Sequence, residues 1–291
     1  MKKILVAGAA GQVGKELQEL EAAYPQYEFL WTDVFELDIT NPQFVADYFR
    51  KNQPDYCINC AAYTAVDKAE SNEETAHKIN VIGPKELAQS CLTRNIPLLQ
   101  ISTDYVYHSD PGRPFKEDDP TNPQSVYAKT KLNGDKIALA IHPMTCVIRT
   151  SWVYSSFAHN FVKTMLRLAD ERDRLTIVSD QVGTPTYAAD LASAMMQMID
   201  KAEKGEVNPS KLRGIYHYSN EGITNWAEFA KEIFNQRGLK TEVVPIPTTD
   251  YPTPAKRPPY SVLDKTKIKE AFGLEIPEWQ ESLKKCLELL P

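Results

Sequence analysis

The chain opens on an apolar run at 2 to 7, and similar short runs recur at 27 to 31, 56 to 60, 97 to 102 and 144 to 149. Runs that are apolar throughout, without alternation, predict strands covered on both faces, as in a parallel sheet. Between them, near 11 to 23, 42 to 51, 72 to 94 and 125 to 141, apolar residues recur at helical spacing. Strand alternating with helix predicts an α/β fold over 1 to 150, a doubly wound parallel sheet of the Rossmann type. Its right-handed crossovers bring every strand C-terminal end, and any ligand, to one edge.

Beyond residue 150 the pattern loosens. Pro185, Pro209, Pro245, Pro247, Pro252, Pro254, Pro258 and Pro259 punctuate shorter elements, and helical spacing survives near 158 to 171, 187 to 203, 225 to 237 and 277 to 289. Residues 151 to 291 are therefore expected to form mainly a smaller, partly discontinuous substrate-binding lobe, with later segments returning to the sheet. The stretch from Pro245 to Pro259 is too long for a plain connection and is read as an ordered active-site segment.

Composition removes several function classes. The 291 residues fit one large or two smaller domains, and the net charge of −6 lacks the basic footprint of a nucleic-acid binder. No apolar run is long enough to span a bilayer. Met1 to Ala10 imitates a short signal peptide, yet cleavage after Ala10 would destroy the glycine turn described next. The segment is read as the first core strand and the chain as cytoplasmic. Five cysteines, an odd and scattered set, argue against a disulfide framework. Cys57 and Cys60, three apart on a strand, point to opposite faces and read as core side chains, not as a redox or metal pair.

Two constellations carry chemistry. Gly8, Gly11 and Gly14 join the first strand to the first helix. Glycine there permits a tight turn, close backbone approach and helix-on-strand packing, while the helix N-terminus attracts a pyrophosphate. Asp33, ending the second strand, suits a ribose diol and repels a 2′-phosphate, which favours NADH over NADPH. In the second constellation Tyr127 and Lys131 stand four apart on one helix face, and Ser102-Thr103 ends the fourth apolar run. A free phenol titrates at about 10, and a neighbouring cation lowers that value. Lys131 is expected to supply the cation, with Thr103 a hydrogen bond to the oxygen that Tyr127 protonates.

With these parts in this order, the chain resembles the extended short-chain dehydrogenase/reductases. Nucleotide-sugar 4,6-dehydratases carry an Asp-Glu pair after the threonine, and here Asp104 is followed by Tyr105, so the base for dehydration is missing. Ser102 to Tyr107, Arg149 to Tyr154 with Asn160-Phe161, Asp180 to Thr186 with Asp190-Leu191-Ala192, and Arg257 to Asp264 together resemble the dTDP-4-dehydrorhamnose reductase family from Met1 to about Trp279. The chain departs from that pattern at Tyr107-His108, at Ala128 where Gly usually follows the tyrosine, and at Asp135 in place of Glu.

The resemblance implies an oxidoreductase that takes NADH or NADPH and reduces the C4 ketone of a dTDP-linked 4-keto sugar. Tyr127, Lys131 and Thr103 would be catalytic, with Lys131 also on the cofactor ribose. Gln12 and Val13 would meet the pyrophosphate, Asp38 and Ile39 the adenine, and Ala61, Ala62 and Tyr63 the dinucleotide. Thr103, Asp104, Tyr105, Trp152, Asn160, Gln181 and Arg257 would face the substrate, Arg257 matching a diphosphate through its guanidinium fork. Some members use Mg²⁺ at a C-terminal acidic cluster, but Glu278, Glu281 and Glu288 read as a solvated helix face. A homodimer, without nucleic-acid or membrane partners, is the expected assembly. The alternatives are a reductase or epimerase of another nucleotide-linked keto sugar, and a non-catalytic regulatory subunit resembling the methionine adenosyltransferase beta subunit.

Overall fold

The computed structural model describes residues 1–291. In chain order the first half contains β1 (Lys2–Ala7), α1 (Gln12–Glu19), β2 (Tyr27–Thr32), α2 (Pro42–Asn52), β3 (Tyr56–Asn59), α3 (Val66–Ala69), α4 (Glu73–His77), α5 (Gly83–Arg94), β4 (Leu98–Thr103), α6 (Val126–Ile141) and β5 (Thr145–Thr150). The second half contains β6 (Val153–Tyr154), α7 (Phe161–Glu171), β7 (Arg174–Val178), β8 (Val182–Gly183), β9 (Thr186–Tyr187), α8 (Ala188–Glu203), β10 (Gly214–His217), β11 (Thr224–Asn225), α9 (Trp226–Arg237), β12 (Glu242–Ile246), α10 (Thr266–Phe272) and α11 (Trp279–Glu288).

Six strands form one parallel sheet in the order β10-β5-β4-β3-β1-β2. Each strand is apolar throughout because both faces are covered. Ile4, Val6, Ile58 and Leu99 pack on one side with α1, α8 and α10, and Leu5, Ala7, Cys57 and Leu98 on the other with α2, α5 and α6. Cys57 and Cys60 do fall on opposite faces, Cys57 in the second cluster and Cys60 against the first. The chain reverses direction across the sheet between β1 and β3, which opens a crevice at their C-terminal ends. A separate core of Tyr154, Val162, Phe229, Ile233 and Leu283 holds α7, α9 and α11 together beside this crevice.

The expected helix at 72 to 94 is interrupted. α4 and α5 are joined by a π-helical turn, Lys78–Ile82. Pro84 has no N–H to give the carbonyl four residues back, at Asn80, so the ladder must loosen there. α6 packs closely over that carbonyl, and a Cβ on Gly134 would run into Asn80 O. The strands of the second half other than β10 pair in twos, β7 with β12, β8 with β11 and β6 with β9. Apart from β7 and β12 these are two-residue elements, too short for any periodicity to announce them. No helix is long and apolar enough to cross a membrane.

Candidate active site

The turn after β1 is built by exclusion of side chains. Gly8 has φ +78°, and a Cβ there would sit 2.5 Å from Ala61 N; one on Gly14 would sit 2.5 Å from Gly8 O. Only bare backbone lets β1, β3 and α1 approach this closely. Gly11 caps α1 without a side-chain hydrogen bond, and Gly11, Gln12 and Val13 line a cleft of 500 Å³. Asp33 braces the turn, accepting from the backbone N–H of Ala10 at 3.0 Å and of Val34 at 2.8 Å. A helix N-terminus opening on an elongated crevice, with no Cβ in the way, fits a dinucleotide pyrophosphate.

Across the cleft stand Thr103, Asp104 and Tyr105 from the end of β4, and Tyr127 and Lys131 from α6. Ser125 starts α6 by accepting the N–H of Ala128 at 3.2 Å, which sets the helix phase and aims Tyr127 and Lys131 at the crevice. The rings of Tyr105 and Tyr127 meet edge to face, 5.7 Å between centres. Lys131 is buried, and its Nζ donates to the Ile101 carbonyl at 2.7 Å.

The electrostatics differ from expectation. Burial pushes the Tyr127 phenol up to about 12, against the lowering hydrogen bond of Thr103, and Asp104 and Asp135 push it further. The i, i+4 spacing predicts that Lys131 pulls the phenol down. Its ammonium is instead directed at Ile101, and burial depresses its own proton affinity, so desolvation governs Tyr127. Burial likewise raises Asp104 to about 7, with the hydroxyls of Ser261 and Thr103 opposing.

A second cavity of 1080 Å³ continues from the first, sharing Tyr105, Trp152, Asn160 and Trp226. Trp152, held at φ +48°, stacks on Trp226 with 3.7 Å between ring centres. Gln181 is used at both ends, accepting from Trp226 Nε1 at 3.2 Å and donating to Thr248 Oγ1 at 3.0 Å. Asn160 lines the cleft but spends its amide on protein: Nδ2 reaches Ser155 O at 2.7 Å and Gln12 Oε1 at 3.1 Å, and Oδ1 caps α7. Arg257 is paired in a fork with Asp67, at 3.1 and 2.7 Å, across 190 residues of chain.

Ala62 also lines the cleft, whereas Ala61 and Tyr63 support it from behind. Ala61 N–H is held by Asn59 at 3.0 Å, and Tyr63 N–H by Asn80 at 2.8 Å. Asp38 and Ile39 lie outside both cavities. Asp38 accepts from the Thr40 N–H and hydroxyl, and Ile39 is buried against Gly83. Sequence reasoning misses Trp226, Asp67, His159 and Asn80. The first three are single residues whose partners are distant in sequence, and only Pro84 hints at the turn that presents Asn80. Glu278, Glu281 and Glu288 are exposed, and no group of three or more His, Cys, Asp or Glu is placed to hold a metal.

Known proteins agree with this geometry. The profile of the RmlD substrate binding domain matches residues 1–290. A dTDP-4-dehydrorhamnose reductase of Aggregatibacter actinomycetemcomitans is 41% identical, over 98% of each chain. The crystal structure of such a reductase from Clostridium acetobutylicum superimposes with a TM-score of 0.92 at 43% identity, covering 99% of both chains. One from Bacillus anthracis, solved in complex with NADP, does so with a TM-score of 0.92 at 36% identity, again over 99% of both.

Proposed function

This chain belongs to the RmlD substrate-binding family, and from that premise we propose that it reduces the C4 ketone of dTDP-4-dehydro-6-deoxy-L-mannose to dTDP-L-rhamnose with NAD(P)H. The observation that carries the proposal is the convergence of Thr103, Tyr127 and Lys131 on one cleft with the glycine turn at its far wall.

When bound, the reduced nicotinamide supplies a hydride to C4. The chain's own part is to receive the charge that then develops on the ketone oxygen. Tyr127, a phenol kept protonated by burial, holds the proton that this oxygen takes. Thr103, within reach of the same oxygen, offers a hydroxyl that polarises it. Lys131, fixed by the Ile101 carbonyl, keeps two N–H donors free for a ribose diol. Tyr105 and the Trp152–Trp226 stack form apolar walls for the sugar and base, and Arg257, with Asp67, stands where the larger cavity can take a diphosphate. The segments after Thr150 that do not rejoin the sheet form the substrate lobe. Asp33 supports NADH as the better of the two nucleotides, since its carboxylate is fixed beside the phosphate turn.

The test is nicotinamide oxidation with the keto sugar made in the same tube by the upstream dehydratase and epimerase. Oxidation that requires the epimerase is expected, with NADH at least matching NADPH. A dinucleotide that binds but is not oxidised would overturn the assignment.

A further inference from the structure

Asp135 is one helical turn beyond Lys131, as Lys131 is beyond Tyr127, so the three lie along one face of α6. Asp135 is 1% exposed and Lys131 3%. One carboxylate oxygen accepts the Ser102 hydroxyl of β4 at 2.5 Å, and the other is buried without a partner. A buried carboxylate with one oxygen unsatisfied is costly, and an apolar side chain would serve packing better. Its charge must therefore be accounted for.

The groups facing the Lys131 ammonium are Asp135 on its own helix, Cys60 at the end of β3 and the Ile101 carbonyl of β4. Those facing Asp135 are Lys131, Ser102 of β4 and Arg149 of β5. Tyr127 is faced by Thr103 and Asp104 of the β4 end and by Asp135. Lys131 has no ion-pair partner within 4.0 Å, so the carboxylate acts on it through the low-dielectric interior and not by contact.

We propose that Asp135 is a positioning residue for the reduction: locked by Ser102 behind Lys131, it keeps that buried lysine in its ammonium form, able to bind the ribose diol. The inference rests on the role given to Lys131 above. Burial drives the Lys131 ammonium toward losing its proton and Asp135 opposes this. Replacing Asp135 with Asn keeps the shape and removes the charge, so the lysine deprotonates at lower pH.

The experiment follows NADH and NADPH binding by nicotinamide fluorescence, without sugar, from about pH 6 to 10, a range spanning the titration of a depressed lysine. Wild type should lose affinity on the alkaline side, and Asp135→Asn should move that loss down by about one pH unit or more, about a tenfold weaker affinity in between. Asp135→Glu should restore the wild-type position even where its added methylene lowers thermal stability. Ser102→Ala frees the carboxylate and should move the loss the same way by less; it decides the matter if Asp135→Asn does not fold. A wild-type affinity flat over the range, or an alkaline loss unmoved in the folded variants, overturns the proposal and leaves Asp135 a structural residue. Because sugar is absent, a wrong substrate assignment would appear only in the turnover assay.

Discussion

Tyr127→Phe removes one oxygen and leaves the rest of the site in place. The phenyl ring still packs edge to face on Tyr105 at 5.7 Å, and Lys131 remains seated on the Ile101 carbonyl. One hydrogen bond is lost, worth about 1 kcal/mol, so the melting temperature should fall by only about 2 to 4 °C. The kinetic loss is of another order. A positioned general acid contributes roughly 100- to 10,000-fold, about 3 to 5 kcal/mol of barrier. The expected result is a kcat reduced by that factor with dinucleotide affinity within about twofold, read by stopped-flow oxidation and fluorescence titration on one preparation. A kcat within about fivefold of wild type would refute the assignment of the proton to Tyr127. An equal loss in dinucleotide affinity would show that the phenol holds the cofactor instead.

Asp104 makes the stability pH-dependent. Its folded value, raised to about 7, means the native state binds the proton more tightly than the unfolded chain, so its contribution is fullest in acid and is lost as pH rises from about 4 to 7. Asp104→Asn should therefore gain in melting temperature over wild type as pH rises through that window, by at most about 4 kcal/mol, and a gap constant with pH would refute the sign. Arg257→Ala should raise KM for the nucleotide sugar about 10- to 100-fold without changing dinucleotide affinity, because the guanidinium faces only the larger cavity; steady-state kinetics with an unchanged KM would remove it from the substrate site. Gly14→Ala places a methyl 2.5 Å from Gly8 O and 2.6 Å from Ala9 Cα, so backbone must move. A cost of about 1 to 3 kcal/mol and at least a tenfold loss of dinucleotide affinity are expected by thermal melting and titration, and retained affinity would place the pyrophosphate elsewhere.

Much of this protein is written locally. β1 to β5, the glycine turn and the face shared by Tyr127 and Lys131 follow from a few adjacent residues, because a doubly covered strand, a tight turn and an i, i+4 pair are short-range patterns. The strand-end position of Thr103 is legible for the same reason, so the catalytic wall of the cleft is contained in short stretches of the chain. The substrate wall is not. The Trp152–Trp226 stack and the Asp67–Arg257 fork join residues far apart in sequence, and the two-residue strands that align them have no period of their own. The family motifs mark Asn160 and Gln181 as substrate contacts, whereas folding commits their amides to Ser155, Gln12, Trp226 and Thr248. The sign of the Tyr127 shift is also decided by the tertiary structure. Spacing places a lysine near the phenol, but only the packed interior determines that burial outweighs that charge and that the ammonium turns to Ile101. Desolvation is a property of everything that surrounds a group, and no local stretch of chain contains it.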